Sequence, residues 1–204
     1  MIFGIDISHW NKLIELEKPE FVIIKATEGV SFVDSKLQRN YKDVVEAGKL
    51  VGFYHYARPE KNSNPEREAQ HFLNTIPSEA IGKCLLALDW EGEALKHNLA
   101  WARKWLDYVF NKTGVRPLFY CQGSYTNKIN TILEGNYGLW VAHYKSSTQG
   151  LAYGEKPKRG EKPTTGVYKS FAIWQYSSKN IYNCDCNVFN GTLNQLKKYC
   201  EVIS

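Results

Sequence analysis

Residues 85–91 read Leu85-Leu86-Ala87-Leu88-Asp89-Trp90-Glu91, an apolar run that ends in two carboxylates two positions apart. The run is short and almost wholly apolar, which predicts a buried β-strand. In an extended chain alternate side chains share a face and each residue rises by about 3.3 Å, so Asp89 and Glu91 project side by side while Trp90 points away. The strand therefore presents a pair of carboxyl groups at its C-terminal end.

Such a pair of carboxyl groups suits acid catalysis. An acid that protonates a glycosidic oxygen needs a raised pKa, and a second carboxylate at the end of an apolar strand supplies that shift. Taken alone, a strand-terminal Asp-x-Glu is more often a solvated edge or a structural hydrogen-bonded pair. The interpretation of Asp89 and Glu91 therefore depends on what the rest of the chain places beside them.

The composition is that of one globular domain. The chain has 204 residues, of which 43% are hydrophobic and 23% charged, and we expect a single domain over residues 1–204. Thirteen Tyr and six Trp exceed what a core of this size requires. Flat rings with a polar tip suit stacking against sugar faces, although a well-filled core with surface Tyr explains the same count.

The charge pattern narrows the range of partners. A formal net charge of +5 favours a polyanionic surface such as a bacterial cell wall, but the basic residues are dispersed and indicate no nucleic acid partner. No window reaches the roughly 18 apolar residues of a membrane span, so we expect no membrane insertion, and we expect a monomer. The chain opens directly on a predicted strand; if it is complete, it has no secretory signal.

Five cysteines indicate free thiols. Their number is odd, no C-x-x-C pair occurs, and no His stands at zinc-finger spacing, so neither a disulfide framework nor a structural metal is indicated. Cys184 and Cys186 are too close for an easy mutual disulfide, so we expect them to pack.

Short apolar runs predict eight strands, at residues 2–7, 21–26, 50–56, 84–89, 117–121, 139–144, 171–176 and 186–189. Helical patterns cover residues 35–47, closing on Gly48, and 99–111, closing on Gly114, with a weaker pattern at 124–133 and a terminal one at 192–202. Alternating strands and helices predict a mostly parallel sheet, and eight strands predict an α/β barrel. Residues 145–169 read as a long loop, so the barrel should be irregular, with missing or shortened helices in its second half.

Acidic residues fall at the ends of these strands. Asp6 ends the first, Asp89 and Glu91 end the fourth, and Asp185 adjoins the eighth. Barrel enzymes build their sites at the C-terminal ends of strands, so these carboxylates should converge. Burying like charges together costs stability, which argues for a functional reason. Polar and aromatic residues occupy the equivalent ends of other strands: Thr27, Glu28, Tyr54, His55, Tyr56, Tyr120, Trp140, His143, Tyr144, Trp174, Gln175 and Tyr176.

For some of these residues a structural role explains the sequence at least as well as a catalytic or binding role does. His55 and His143 lie within aromatic runs and, taken singly, are more often core histidines than proton carriers. Glu28 has no paired carboxylate within two residues, so a structural ion pair with a Lys or Arg explains it as well as catalysis does.

A set of motifs runs through the whole chain in order, and together they resemble the catalytic domain of family 25 glycoside hydrolases, the Chalaropsis-type lysozymes or N-acetylmuramidases of bacteria and their phages. The motifs are Gly4-Ile5-Asp6-Ile7-Ser8-His9-Trp10, Phe21-Val22-Ile23-Ile24-Lys25-Ala26-Thr27-Glu28-Gly29, Val51-Gly52-Phe53-Tyr54-His55-Tyr56-Ala57-Arg58-Pro59, Glu68-Ala69-Gln70-His71-Phe72, Leu88-Asp89-Trp90-Glu91, Leu139-Trp140-Val141-Ala142-His143-Tyr144, Ile173-Trp174-Gln175-Tyr176 and Cys184-Asp185-Cys186-Asn187-Val188-Phe189.

The resemblance implies roles for individual residues. It makes Glu91 the general acid, Asp89 its carboxylate partner, and Asp6 and Asp185 the flanking acids that hold or tune the pair. Tyr54, Tyr120, Trp140 and Gln175 match positions that line the sugar site, and we place Tyr56 and His55 with them. The implied fold is a flattened TIM-like (β/α) barrel with eight strands and few helices, and no metal or organic cofactor is needed. One departure is residues 180–184, where the family usually has a Gly-rich turn. The resemblance therefore does not fix the shape of this wall of the sugar site.

The expected activity is hydrolysis of the β-1,4 bond between N-acetylmuramic acid and N-acetylglucosamine in bacterial peptidoglycan, by a substrate-assisted route that retains configuration. A chitinase-like N-acetylhexosaminidase is an alternative that could use the same acetamido-sugar site. A catalytically idle wall-binding module is a third, against which the presence of all four acids argues. Without a signal segment, the sequence favours a phage or prophage endolysin over a bacterial autolysin or secreted lysozyme.

Overall fold

The computed structural model describes residues 1–12, 14–129, 133 and 136–203. The strands are β1 (Ile2–Ile7), β2 (Phe21–Glu28), β3 (Phe32–Val33), β4 (Leu50–Tyr56), β5 (Leu85–Asp89), β6 (Leu118–Gln122), β7 (Gly138–Ala142), β8 (Ile173–Ser177) and β9 (Asp185–Phe189). The α-helices are α1 (Leu37–Glu46), α2 (Pro65–Thr75), α3 (Leu99–Thr113), α4 (Ser146–Gln149) and α5 (Leu193–Lys198). Short 3₁₀ turns lie at Ser78–Ala80, Gly92–Lys96 and Gly123–Lys128.

Eight of the strands form a closed barrel, which confirms the predicted fold. Their order is β1-β9-β8-β7-β6-β5-β4-β2, and pairing of β1 with β2 closes the ring. The two-residue strand β3 pairs with β2 as an antiparallel extension. Each of the eight barrel strands corresponds to one of the predicted apolar runs, with ends that differ by a few residues.

The last strand runs against its neighbours. β9 is antiparallel to both β1 and β8, whereas the other barrel pairings are parallel. This reversal decides the position of Asp185, because the residue begins β9 and lies opposite Asp6, near the end of β1. In a parallel strand the first residue would lie at the other end of the barrel. An alternating or apolar run carries no sign of direction, so the sequence predicted the strand but not its orientation.

Both faces of the barrel wall are buried. Alternate residues of β2 point to opposite sides, so that Phe21 and Ile23 fill the barrel while Val22 and Ile24 pack in the outer layer. The same alternation runs through β5, where Leu85 and Ala87 face inward. Burial on both faces explains why the strands read as continuous apolar runs.

The helices are long in the first half of the chain and short in the second. α1, α2 and α3 have 10, 11 and 15 residues, whereas α4 and α5 have 4 and 6. These lengths confirm the prediction that helices in the second half of the barrel are shortened. The predicted helix at 124–133 is a 3₁₀ turn in its first part, and residues 130–132 lie outside the described residues.

Helix α2 was missed by the sequence analysis, although its start signals are present. The Asn64 side chain caps the helix by accepting a hydrogen bond from the Arg67 N–H, and Pro65 occupies the first helical position. An Asn cap followed by Pro is a standard N-terminal pattern. The apolar stripe of this helix is short, because its buried residues are only Pro65, Glu68, Ala69 and Phe72.

All five cysteines are free and buried, as predicted for Cys184 and Cys186 in particular. Within the described part of the chain, no helix has both the length and the apolar character that crossing a bilayer requires.

Candidate active site

The four predicted acids come together at one end of the barrel. Asp89 is the last residue of β5, and Glu91 follows in an extended conformation (φ −145°, ψ −175°), while Trp90 between them is fully buried. Asp6 and Asp185 face each other across β1 and β9. Tyr54 lies among all four, since each carboxylate contributes to raising the pKa of its phenol, after burial as the largest cause.

Two amide side chains hold Asp6. The Oδ2 atom of Asp6 accepts hydrogen bonds from Gln175 Nε2 at 2.8 Å and from Asn187 Nδ2 at 2.7 Å. The orientation of the Asn187 amide is set by Trp140, whose indole Nε1 donates to Asn187 Oδ1 at 2.8 Å. An indole N–H can only donate, so the Asn187 oxygen must face Trp140 and its NH₂ must face Asp6.

Two phenols hold the other amide in the same way. The hydroxyl groups of Tyr120 and Tyr144 both donate to Gln175 Oε1, at 3.0 and 2.5 Å. With its oxygen saturated by two donors, Gln175 presents its NH₂ group to Asp6. The site is thus a connected network in which aromatic side chains orient amides and amides orient a carboxylate.

The carboxyl groups have raised pKa values. Burial is the largest cause for each, followed by the charge of Asp185 on Asp6 and by the charge of Glu91 on Asp89 and Asp185. The pKa values of Asp6 and Asp89 are well above their usual range, that of Asp185 rises to about 6, and that of Glu91 is raised by burial. Each of the four groups therefore holds a proton more readily than a solvent-exposed carboxyl group does.

Lys25 is the cation of the site and was not among the predicted residues. Its Nζ lies 2.8 Å from Glu28 Oε2 and 4.9 Å from the centre of the Tyr56 ring, and its positive charge opposes the rise in the pKa of both Asp89 and Glu91. A lysine inside the apolar run 21–26 is the signal that could have identified it. Past Lys25 the pairing of β2 with β4 shifts by one residue, which is a β-bulge.

Glu28 makes the structural ion pair that the sequence analysis considered. Its carboxylate accepts hydrogen bonds from Lys25 Nζ and from Arg58 Nε at 2.7 Å. These contacts lower the pKa of Glu28 against the effect of burial, so it is ionised and serves to hold Lys25 and Arg58.

Asp89 has an oxygen atom without a partner. Its Oδ1 is buried and makes no hydrogen bond with any described residue. An unsatisfied buried acceptor costs free energy, on the order of 1–3 kcal/mol, unless a ligand or water supplies a donor. This atom marks a place where a donor on a bound molecule would fit.

The predicted sugar-lining residues fall into two groups. Tyr54 and Tyr56 are half-buried at the end of β4, on its inner face, and Tyr120 and Gln175 belong to the hydrogen-bond network. Trp140 is only 2% exposed and packs edge-on against the rings of Tyr54 and Tyr120. Its position is that of a support for these residues and not of an open stacking surface.

His55 does not reach this site, which corrects the sequence-based prediction. It is fully buried on the outer face of β4, where Nδ1 lies 2.7 Å from Thr27 Oγ1 and Nε2 lies 2.8 Å from Glu68 Oε2 of helix α2. The alternation of a strand puts Tyr54 and Tyr56 on one face and His55 on the other. His143 has a structural contact, because its Nδ1 accepts a hydrogen bond from the Thr164 N–H.

The segment that departs from the family pattern forms its turn without glycine. Asn183 has φ +50°, in the left-handed region that glycine usually occupies, and Asn is the side chain that tolerates it best. The Asn183 carbonyl accepts a hydrogen bond from Asn11 Nδ2, which connects this turn to the loop after β1.

Tyr144 and Asn187 are two residues of this network that were not among the predicted site residues. Tyr144 follows Trp140 at the end of β7, and Asn187 lies two positions after Asp185 in β9. The period of two in a strand puts Asp185 and Asn187 on one face, so that rule could have found the second residue.

Buried, mutually repelling carboxyl groups at one end of a closed α/β barrel, held among amides and aromatic rings, are an arrangement used by barrel enzymes that hydrolyse glycosidic bonds. Residues 5–183 match the sequence model of Glycosyl hydrolases family 25. The match covers most of the chain, and the chain belongs to that family of glycoside hydrolases.

Individual relatives agree with this assignment. The N,O-diacetylmuramidase of Chalaropsis sp is 26% identical over 202 residues, which cover 87% of this chain and 86% of the relative. The autolytic lysozyme of Clostridium acetobutylicum is 36% identical over 132 residues, which cover 61% of this chain and 38% of the relative. The structure of a family GH25 lysozyme from Aspergillus fumigatus superimposes with a TM-score of 0.78 at 28% identity and covers 98% of this chain and 99% of its own.

Proposed function

We propose that this protein is a lysozyme that hydrolyses the β-1,4 bond between N-acetylmuramic acid and N-acetylglucosamine in bacterial peptidoglycan, and that residues 1–204 are its catalytic domain. Family membership and the names of the muramidase and lysozyme relatives support the activity. The convergence of Asp6, Asp89, Glu91 and Asp185 supports the location of the active site.

The observation that carries the mechanism is the unpartnered Oδ1 of Asp89 beside a second carboxyl group with a raised pKa. The substrate has a 2-acetamido group, whose N–H is a donor of the kind this atom lacks. A hydrogen bond to Asp89 favours its ionised form and lowers its pKa. Because Asp89 and Glu91 compete for protons, substrate binding would then favour protonation of Glu91, the form a general acid requires.

The bond-breaking step follows from this arrangement. Glu91 transfers its proton to the glycosidic oxygen while the bond from that oxygen to the anomeric carbon breaks. The acetamido carbonyl oxygen attacks the anomeric carbon from the other side, and the ionised Asp89 stabilises the positive charge of the resulting oxazolinium ring. Water then opens the ring at the anomeric carbon, giving its proton to Glu91, so the product retains the original configuration.

Asp89 is poorly placed to be the nucleophile itself. Asp89 and Glu91 project from the same face of one extended segment, so both approach the sugar from one side. A nucleophile must attack opposite the leaving oxygen, which Glu91 protonates. Asp6 and Asp185 complete the site beside Tyr54, and the charge of Asp185 adds to the effect of burial in raising the pKa of Asp6.

Analysis of the reducing ends tests the proposed activity. Purified bacterial walls are digested, the new ends are reduced with borohydride, and the sugars are identified after hydrolysis. We expect muramicitol, because Glu91 protonates the oxygen that leaves with the next glucosamine. Glucosaminitol as the sole product would make the protein a glucosaminidase, and no new ends together with unchanged turbidity would make it a binding module. Cleavage of chitin oligomers in preference to peptidoglycan would favour the chitinase-like alternative.

A further inference from the structure

Trp10 is the exception among the tryptophans of this chain. All six lie in the described part of the chain, and Trp90, Trp105, Trp140 and Trp174 are buried while Trp101 is partly buried. The Trp10 side chain is 79% exposed. An exposed indole contributes little to folding, since it gains little of the burial that makes Trp stabilising in a core.

The backbone that carries Trp10 is nevertheless firmly held. Asn11 N donates to Ser8 O at 3.1 Å, and Ser8 N donates to Asn11 Oδ1 at 2.8 Å, which forms a closed turn around His9 and Trp10. The buried carboxylate of Asp34 accepts a hydrogen bond from the backbone N–H of His9 and lies 2.7 Å from its Nδ1. The loop is therefore held in place while its largest side chain stays in solvent.

Two further rings extend this surface. The His9 ring centre lies 4.6 Å from that of Trp10 and 5.9 Å from that of Phe32, which is itself 41% exposed on strand β3. We call His9, Trp10 and Phe32 the aromatic shelf. The shelf is a partly exposed apolar surface with fixed orientation, and so is suited to binding.

The aromatic shelf is continuous with the active site. Lys25 Nζ lies 5.5 Å from the Phe32 ring centre on one side and 4.9 Å from the Tyr56 ring centre on the other. Trp10 follows Asp6 by four residues, a separation of at most about 14 Å even for a fully extended chain. A glycan strand whose scissile bond lies at Glu91 could thus extend over the shelf.

We propose that the aromatic shelf is an accessory sugar-binding site, on which a further N-acetylhexosamine residue of the same glycan strand stacks against Trp10. The inference rests on the proposed function and goes beyond the catalytic residues. The apolar face of a pyranose ring matches an indole in shape and polarity. The ammonium of Lys25 beside Phe32 is already paired with Glu28, which leaves the rings of the shelf as its binding surface.

Tryptophan fluorescence tests occupancy of the shelf directly. Iodide should quench mainly Trp10, because the other five indoles are buried or partly buried. The probe is a preparation of peptide-free glycan strands from bacterial walls, added to the Glu91→Gln protein so that binding is observed without cleavage. We expect the strands to reduce the iodide quenching. Saturable binding of strands with unchanged quenching would overturn the proposal.

Kinetics give a second, independent test. Trp10→Ala should raise KM for long glycan strands by about three- to ten-fold, as expected for loss of one stacking contact, while kcat/KM for a short tetrasaccharide stays unchanged. Trp10→Phe should recover part of the loss, and Val45→Ala, an exposed apolar change on α1, is the matched control. Equal KM values for wild type and Trp10→Ala on long strands would refute the shelf. Absence of cleavage by the wild type would instead refute the proposed function.

Discussion

Asp6 and Asp185 are direct register partners on antiparallel strands, so two carboxyl groups that repel each other face one another at the end of the barrel. Asp6 is stabilised by donors from Gln175 and Asn187, yet burial and the neighbouring charge of Asp185 still raise its pKa. Folding thus retains an arrangement that a core would avoid, which is typical of a functional site.

The cost of this arrangement predicts that Asp185→Asn stabilises the fold at neutral pH. The folded-state pKa of Asp185 is about 6, above the ordinary value of 3.8, so its charged form is disfavoured in the folded state. Above pH 6 the wild type bears the full cost, and at pH 3 the group is protonated in both states and bears none. Urea unfolding should show a gain of about 1–3 kcal/mol at pH 7.5 and little change at pH 3.

Asp43→Asn is the matched control, because among the described residues the Asp43 side chain makes an exposed ion pair with Arg39 on helix α1. Its effect should stay within about 0.5 kcal/mol at both pH values. A destabilised Asp185→Asn protein at pH 7.5, or an equal gain at both pH values, would show that Asp185 is not held in a strained charge state.

Lys25 should set the pH range of activity. Its positive charge opposes the rise in the pKa of Asp89 and Glu91, so Lys25→Met should raise both pKa values. Since Glu91 acts protonated and Asp89 acts ionised, both limbs of the pH profile of kcat/KM should move to higher pH. The profile is measured by release of reducing ends from glycan strands.

Two variants control for structural effects at this position. Lys25→Arg keeps the charge and should keep the wild-type profile, and Lys96→Met removes an exposed lysine that pairs with Glu93 outside the site. A folded Lys25→Met protein with an unshifted profile would remove Lys25 from the electrostatics of the acid pair.

The substrate-assisted route predicts retention of configuration. NMR of the first-formed product should show the β anomer, and a thiazoline analogue of the oxazolinium ring should inhibit competitively. An α anomer as first product, or a glycosyl ester trapped on Asp89 by mass spectrometry, would mean that another nucleophile acts.

The barrel and its acids could be predicted from the sequence because both depend on local patterns. Continuous apolar runs such as 85–89 occur where a strand is buried on both faces, and the acids stand at their ends. The reversed direction of β9 could not be predicted, because strand polarity leaves no mark in a period-two pattern. The position of Asp185 beside the last apolar run, together with the family resemblance, had nevertheless placed it with the other acids, although the residue begins its strand.

The errors in the predicted site residues also have physical causes. His55 was assigned to the sugar site because it stands between Tyr54 and Tyr56, although the alternation of a strand turns it outward to Glu68. The period of two places Asn187 on the same face as Asp185, but no sequence pattern shows its hydrogen bond with Trp140, a residue 47 positions away that orients its amide. Such dependence on a distant partner is visible only once the barrel brings the two strands together.

The most direct test of the account compares Glu91→Gln with Glu93→Gln. Glu91 is the proposed general acid, whereas Glu93 is an exposed neighbour two residues on that pairs with Lys96. Release of reducing ends from bacterial walls should fall by about 10²–10⁴-fold in Glu91→Gln with its fold intact by circular dichroism, and remain at the wild-type rate in Glu93→Gln. Asp6→Asn and Asp185→Asn should each lose less activity than Glu91→Gln. A folded Glu91→Gln protein that cleaves walls at the wild-type rate would contradict the account.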